Sequence, residues 1–145
     1  MGLQENFRKF PTHGHAHLPN HLECMFIPCF LLIKDWSVSA PYSHLAGGVK
    51  YYNGKLTVPT PGRYYIYAQI YYHNNGRVFV NVNSKAITMM QPPISVNHHG
   101  SLYAGGVFYL KAGDEITLMS ISSYPNNVAK IYMATYHSYF GAFLI

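Results

Sequence analysis

The sequence predicts an all-β fold, a two-sheet antiparallel sandwich of about ten short strands, on three observations. The stretch from Arg63 to His73 is almost entirely aromatic or β-branched, a composition that suits a pleated, packed surface. Turn signals recur about every ten residues, the spacing of a sandwich or jelly roll. Helical periodicity is sustained nowhere in the chain. Composition agrees, because aromatic residues reach 16% of the 145, with fourteen Tyr and eight Phe. Charged residues make up only 10%, against about 25% in an average soluble domain, so much of the surface is uncharged or covered by a partner.

Residues 1–12 are polar around single apolar side chains and read as a flexible leader to one domain spanning residues 13–145. His13, His15 and His17 occupy alternate positions, so on a strand all three project from one face. That spacing suits a metal, and equally suits neutral imidazoles lining a strand. Only five acidic residues are present to complete or orient a metal shell, which weighs against the metal. Met25 to Ile33 is an apolar run that predicts a buried strand. It is about half the length of a membrane span, and the N-terminus carries no cleavable signal pattern. The chain therefore reads as cytosolic or as an extracellular piece of a longer protein. Cys24 and Cys29 are separated by four residues, which permits a small disulfide loop without requiring it.

A strand is expected from Gly47 to Tyr52, then an Asn53-Gly54 tight turn and a returning strand to Val58. The Pro-Thr-Pro-Gly turn that ends at Gly62 launches the long strand from Arg63 to His73. Alternation places Tyr65, Tyr67, Gln69 and Tyr71 on one face and Tyr64, Ile66, Ala68 and Ile70 on the other. Neither face has the composition of a solvated one. The sandwich core covers one, and in so short a chain the cover for the other is a second copy, which predicts an oligomer.

Arg77 to Asn83 alternates again, with Val78, Val80 and Val82 on one side and Phe79, Asn81 and Asn83 on the other. A turn at Asn83-Ser84-Lys85 leads to a strand from Ala86 to Met90, which Gln91-Pro-Pro ends because proline cannot donate to a ladder. Ser101 to Leu110 carries Gly105-Gly106, the mark of a bulge or of a close backbone approach. After a Lys111-Ala-Gly-Asp114 turn come a strand from Glu115 to Ser122, a loop over residues 123–130 and a last strand from Ile131 to Ile145.

Chemistry-bearing patterns are sparse. The formal charge is +5, yet the ten Lys and Arg are scattered singly and form no basic stripe for nucleic acid. Asp114 and Glu115 are adjacent and point to opposite faces of a strand, so they make no facing acid/base pair. No Ser sits in a nucleophile elbow, and Gly105-Gly106 lacks phosphate-loop spacing. The sequence therefore predicts a protein that is not an enzyme and holds no cofactor. His15-Ala-His17 with Glu23 loosely resembles the metal motif of cupins, but Glu23 stands too far along the chain and no histidine follows Pro61-Gly62.

One resemblance spans residues 16–145. Ala16-His-Leu18, Trp36, Gly48-Val49 with Lys55-Leu-Thr-Val-Pro59, Gly62-Arg-Tyr-Tyr-Ile-Tyr-Ala-Gln69, Ser101-Leu-Tyr-Ala-Gly-Gly-Val-Phe108, Leu110-Lys-Ala-Gly-Asp114 and Tyr139-Phe-Gly-Ala-Phe-Leu-Ile145 follow one another in the order they take in the tumour necrosis factor homology domain. The chain resembles that family. The resemblance implies a jelly-roll protomer in a homotrimer, the extracellular part of a type II membrane protein, and a cytokine that binds cysteine-rich receptors. By matching position it implies that His17, Tyr65, Tyr67, Tyr103, Tyr139, Phe143 and Ile145 pack the subunits together. Receptor contact is expected from loops, here Asn74, Asn75, Ser84, Lys85, Tyr124, Asn126 and Asn127, with the first long loop from Pro19 to Asp35. The compact Val-Asn-Val-Asn-Ser-Lys85 hairpin resembles the ectodysplasin branch. The globular head of complement-type proteins, another trimeric jelly roll, is the alternative that the Ala16-His-Leu18 and Trp36 matches disfavour.

Overall fold

The computed structural model describes residues 7–8, 29–40, 43–72, 76–92, 100–122, 131–132 and 137–145. Eleven strands run through them, and no helix is present among the described residues. They are β1 (Phe7–Arg8), β2 (Cys29–Leu32), β3 (Lys50–Tyr52), β4 (Lys55–Thr57), β5 (Gly62–Tyr72), β6 (Arg77–Val82), β7 (Lys85–Met90), β8 (Gly100–Leu110), β9 (Glu115–Ser122), β10 (Ile131–Tyr132) and β11 (Tyr139–Leu144). The expected two-sheet antiparallel sandwich is what forms.

The long aromatic strand β5 organises the first sheet. Along one side it pairs with β8 for its whole length, from Gly62 opposite Leu110 to Tyr72 opposite Gly100. On the other side it pairs first with β11, from Tyr64 to Gln69, and then with β10 at Tyr71 and Tyr72, while β1 lies beyond β11. The second sheet has the order β3-β4-β9-β6-β7, and β2 also pairs with β9.

Between the sheets lies the core that the alternation predicts. Ile66, Ala68, Ile70 and Tyr72 of β5 meet Val78, Val80, Ile116, Leu118, Leu56 and Val58 of the second sheet, and none is more than marginally exposed. Each large apolar side chain buried in this way contributes about 1.5–3 kcal/mol. The half-exposed ion pair of Lys55 and Glu115, 3.0 Å apart, contributes on the order of 0–1 kcal/mol. Apolar burial therefore dominates. Trp36 belongs to the same core: its ring lies 4.9 Å from that of Phe140, and its Nε1–H donates to the Ile33 carbonyl at 3.0 Å.

Two tight hairpins fix the register of the second sheet. Asn53 (φ 47°) and Gly54 (φ 86°) both adopt the left-handed region that a two-residue turn requires, as the Asn-Gly pair predicts. Asn83 (φ 48°) and Ser84 (φ 67°) do the same between β6 and β7. Here the Asn83 side chain adds a lock, because its Nδ2 donates to Asp114 Oδ1 at 2.7 Å and its Oδ1 accepts from the Glu115 amide at 2.9 Å. Asp114 Oδ2 in turn accepts from the Lys111 amide at 2.8 Å. The Lys111 amide first, then Asn83, hold the Asp114 carboxyl below its ordinary pKa.

Three details differ from the sequence expectation. The β5–β8 ladder runs through Gly105-Gly106 without a register shift, so the pair marks close approach and no bulge. The irregularity falls instead between β6 and β7, where Val80 pairs with Thr88 but Asn81 with Ala86. The last strand, expected as one piece from Ile131 to Ile145, is two, β10 and β11, with a turn at His137. Beside the break, the buried Ser138 Oγ accepts from the Tyr71 amide at 3.1 Å.

Candidate functional site

Opposite the core, the first sheet presents its other face, and the ladder registers arrange that face in rows. Phe143, Tyr65 and Val107 lie side by side, then Gly141, Tyr67 and Gly105, then Tyr139, Gln69 and Tyr103. Tyr67 thus has a glycine on each side. With no side chains beside it, the rings of the adjoining rows are near: the Tyr67 centroid is 6.2 Å from Tyr65, 6.3 Å from Tyr139 and 6.4 Å from Phe143, and Tyr65 and Phe143 are 5.4 Å apart. Aromatic pairs favour such offset and tilted arrangements. Tyr67 is 5% exposed at the centre of this cluster, while Tyr65, Tyr139 and Phe143 are half-buried.

Gly105 has a second role. A Cβ there would stand 2.6 Å from Tyr65 Oη and 2.8 Å from Tyr103 Oη, so the missing side chain makes room for the hydrogen bond of 2.9 Å between those two hydroxyls. The Gln69 amide is held similarly, its Nε2 donating to the His137 carbonyl at 3.3 Å and its Oε1 accepting from Tyr139 Oη at 3.2 Å. Desolvation of its hydroxyl, then the bond to Tyr65, push the Tyr103 phenol up to about 12 although half of the side chain is open. The Tyr103 phenol stays neutral at physiological pH. The polar ends of the two phenols face each other.

What the face does offer is apolar area. Tyr103 and Val107 are each 52% exposed, Tyr109 68% and Ile145 61%. Ile145 continues the row pattern, its amide donating to the Arg63 carbonyl at 2.9 Å. Large exposed apolar patches on a folded domain mark surfaces that meet another molecule. Of the residues expected at subunit contacts, the structure brings Tyr65, Tyr67, Tyr103, Tyr139, Phe143 and Ile145 onto this one face; His17 lies outside the described residues. Val107 and Tyr109 are additional members that the sequence reading missed. Counting by twos from Tyr103 along β8 would have found them.

Two of the expected receptor-contact residues are elsewhere. Ser84 and Lys85 are exposed at the β6–β7 turn of the second sheet and share no surface row with the aromatic face. Asn74, Asn75, Tyr124, Asn126 and Asn127 lie outside the described residues, as do His13, His15 and Cys24. Cys29 opens β2 opposite Ser122. Among the described residues, no three His, Cys, Asp or Glu side chains gather as a metal site would require.

Comparison with known proteins agrees with the sandwich. Two solved structures of murine APRIL match it: one at pH 8.0 with a TM-score of 0.67 and 17% identity, covering all of both chains, and one at pH 5.0 with a TM-score of 0.65 and 17% identity, covering 99% of this chain and 100% of the other. No curated protein matches the chain in sequence. Residues 34–145, from just after β2 through β11 to Ile145, match the TNF (Tumour Necrosis Factor) family. The chain belongs to the TNF family.

Proposed function

We propose that the protein is an extracellular cytokine ligand that assembles as a homotrimer through the outward face of its first sheet and clusters cysteine-rich receptors. The observation that carries this is the open aromatic face: Tyr103, Val107, Tyr109 and Ile145 are each more than half exposed around a preformed ring cluster. Family membership supports the reading, since members of the TNF family are trimeric. The low charged fraction supports it too, because burying this face in a second copy removes apolar area from water at about 25 cal/mol per Å².

In the proposed trimer, Tyr65, Tyr103, Tyr139, Phe143 and Ile145 meet neighbouring subunits, with His17 beside them. Tyr67 then serves as an internal wedge more than as a contact, since its own chain already covers it. Receptors occupy the grooves between subunits through Ser84, Lys85, Asn74, Asn75, Tyr124, Asn126 and Asn127. Bringing three receptors together raises their effective concentration, and that geometry is the signal. Assignment to the ectodysplasin branch rests on the compact Asn83-Ser84 hairpin alone. Capture on immobilised cysteine-rich receptor ectodomains tests the reading. A receptor retained by the native protein and lost on charge reversal at Lys85 supports it; a native assembly that retains no receptor of this class contradicts it.

A further inference from the structure

The outward face of the second sheet carries a groove of about 620 Å³, far from the aromatic face in the ladder. Its floor changes character along the strands. Leu32, Met119 and Phe79 form one apolar row across β2, β9 and β6. The next row pairs Asn81 with Thr117, both 92% buried yet lining the groove. Beyond them the Lys55–Glu115 ion pair closes the rim. The irregularity in β7 deepens the middle: Ala86 stands opposite Asn81, and Ile87 packs against the core.

Asn81 Oδ1 is buried there, and among the described residues it has no hydrogen-bond partner. A buried amide oxygen left unmatched costs free energy, which a donor placed in the groove recovers. The volume falls within the range of roughly 300–1,000 Å³ typical of small-ligand sites, which are mostly apolar with a few polar groups to fix orientation. Lys55 and Glu115 neutralise each other at 3.0 Å, so the rim favours no ion of either sign. We propose that this groove binds a neutral small molecule with an apolar body over Leu32, Phe79 and Met119 and one hydroxyl or N–H donor directed at Asn81.

Indole and N-methylindole differ by that one donor and serve as probes. The full chain, labelled at its methionine methyls, is titrated with each and followed by NMR. Met119 lines the groove, whereas Met90 is buried in the core and reports the fold. Met119 is expected to shift saturably with indole while Met90 stays still. N-methylindole should bind roughly two- to tenfold more weakly, the worth of one hydrogen bond. Asn81→Leu should abolish the difference between the probes. No saturable movement of Met119, equal affinities in the native protein, or a difference that persists in folded Asn81→Leu each overturns the proposal. Should that variant fail to fold, the comparison of the two probes on the native chain decides alone.

Discussion

Gly105 sets how the aromatic face is built, because the hydroxyls of Tyr65 and Tyr103 meet over its bare backbone. Removing either hydroxyl forfeits the same bond. Tyr65→Phe and Tyr103→Phe should therefore each cost about 1 kcal/mol, and the double variant little more than one of them. Gly105→Ala should cost a similar amount by pushing the two hydroxyls apart. Denaturant melts of the four proteins check this, and full additivity of the two Phe variants would deny the coupling. Asp114 yields a pH prediction. Its carboxyl is held below the ordinary value in the folded chain, so its stabilising effect is present above the unfolded carboxylate pKa and disappears as pH falls through the lowered folded one. Asp114→Asn should flatten the acid limb of the stability profile, and an unchanged limb would place the effect in other groups. These residues could not be found from sequence spacing, since Asn83 and Asp114 are 31 positions apart and meet only because β6 and β9 pair.

At the scale of the element, alternation was the reliable guide. The two faces of β5 and the inward valines of β6 follow directly from a period of two, and the Asn53-Gly54 turn from the need for positive φ. The break between β10 and β11 was illegible, because nothing in the run from Ile131 to Ile145 interrupts its β character. The two pieces pair with β5 in registers five residues apart, and beside the gap Ser138 bonds to the Tyr71 amide across 67 positions. Ser138→Ala removes one hydrogen bond to the Tyr71 amide and should cost about 1 kcal/mol. Amide exchange at Tyr71 should be faster in the variant than in the native protein, and unchanged exchange would contradict a stabilising Ser138 bond. The irregularity at Asn81 was equally hidden, since no glycine or proline marks it.

For the molecule as a whole, composition already demanded a covered surface: few charges, many rings and a central strand with no solvated face. The structure adds which rings are available. Tyr67 is enclosed by its own subunit, whereas Tyr103, Val107, Tyr109 and Ile145 stand open, so any assembly through this face must be sealed by the outer residues around a rigid centre. That distinction depends on Gly141 and Gly105 lying on either side of Tyr67, which only the registers of two ladders reveal. In the proposed assembly this face closes against identical copies. Sedimentation equilibrium of the native chain at low micromolar concentration tests it most directly. A single species of three times the 16.4 kDa chain mass is the predicted result, and a species of one chain mass throughout would contradict it.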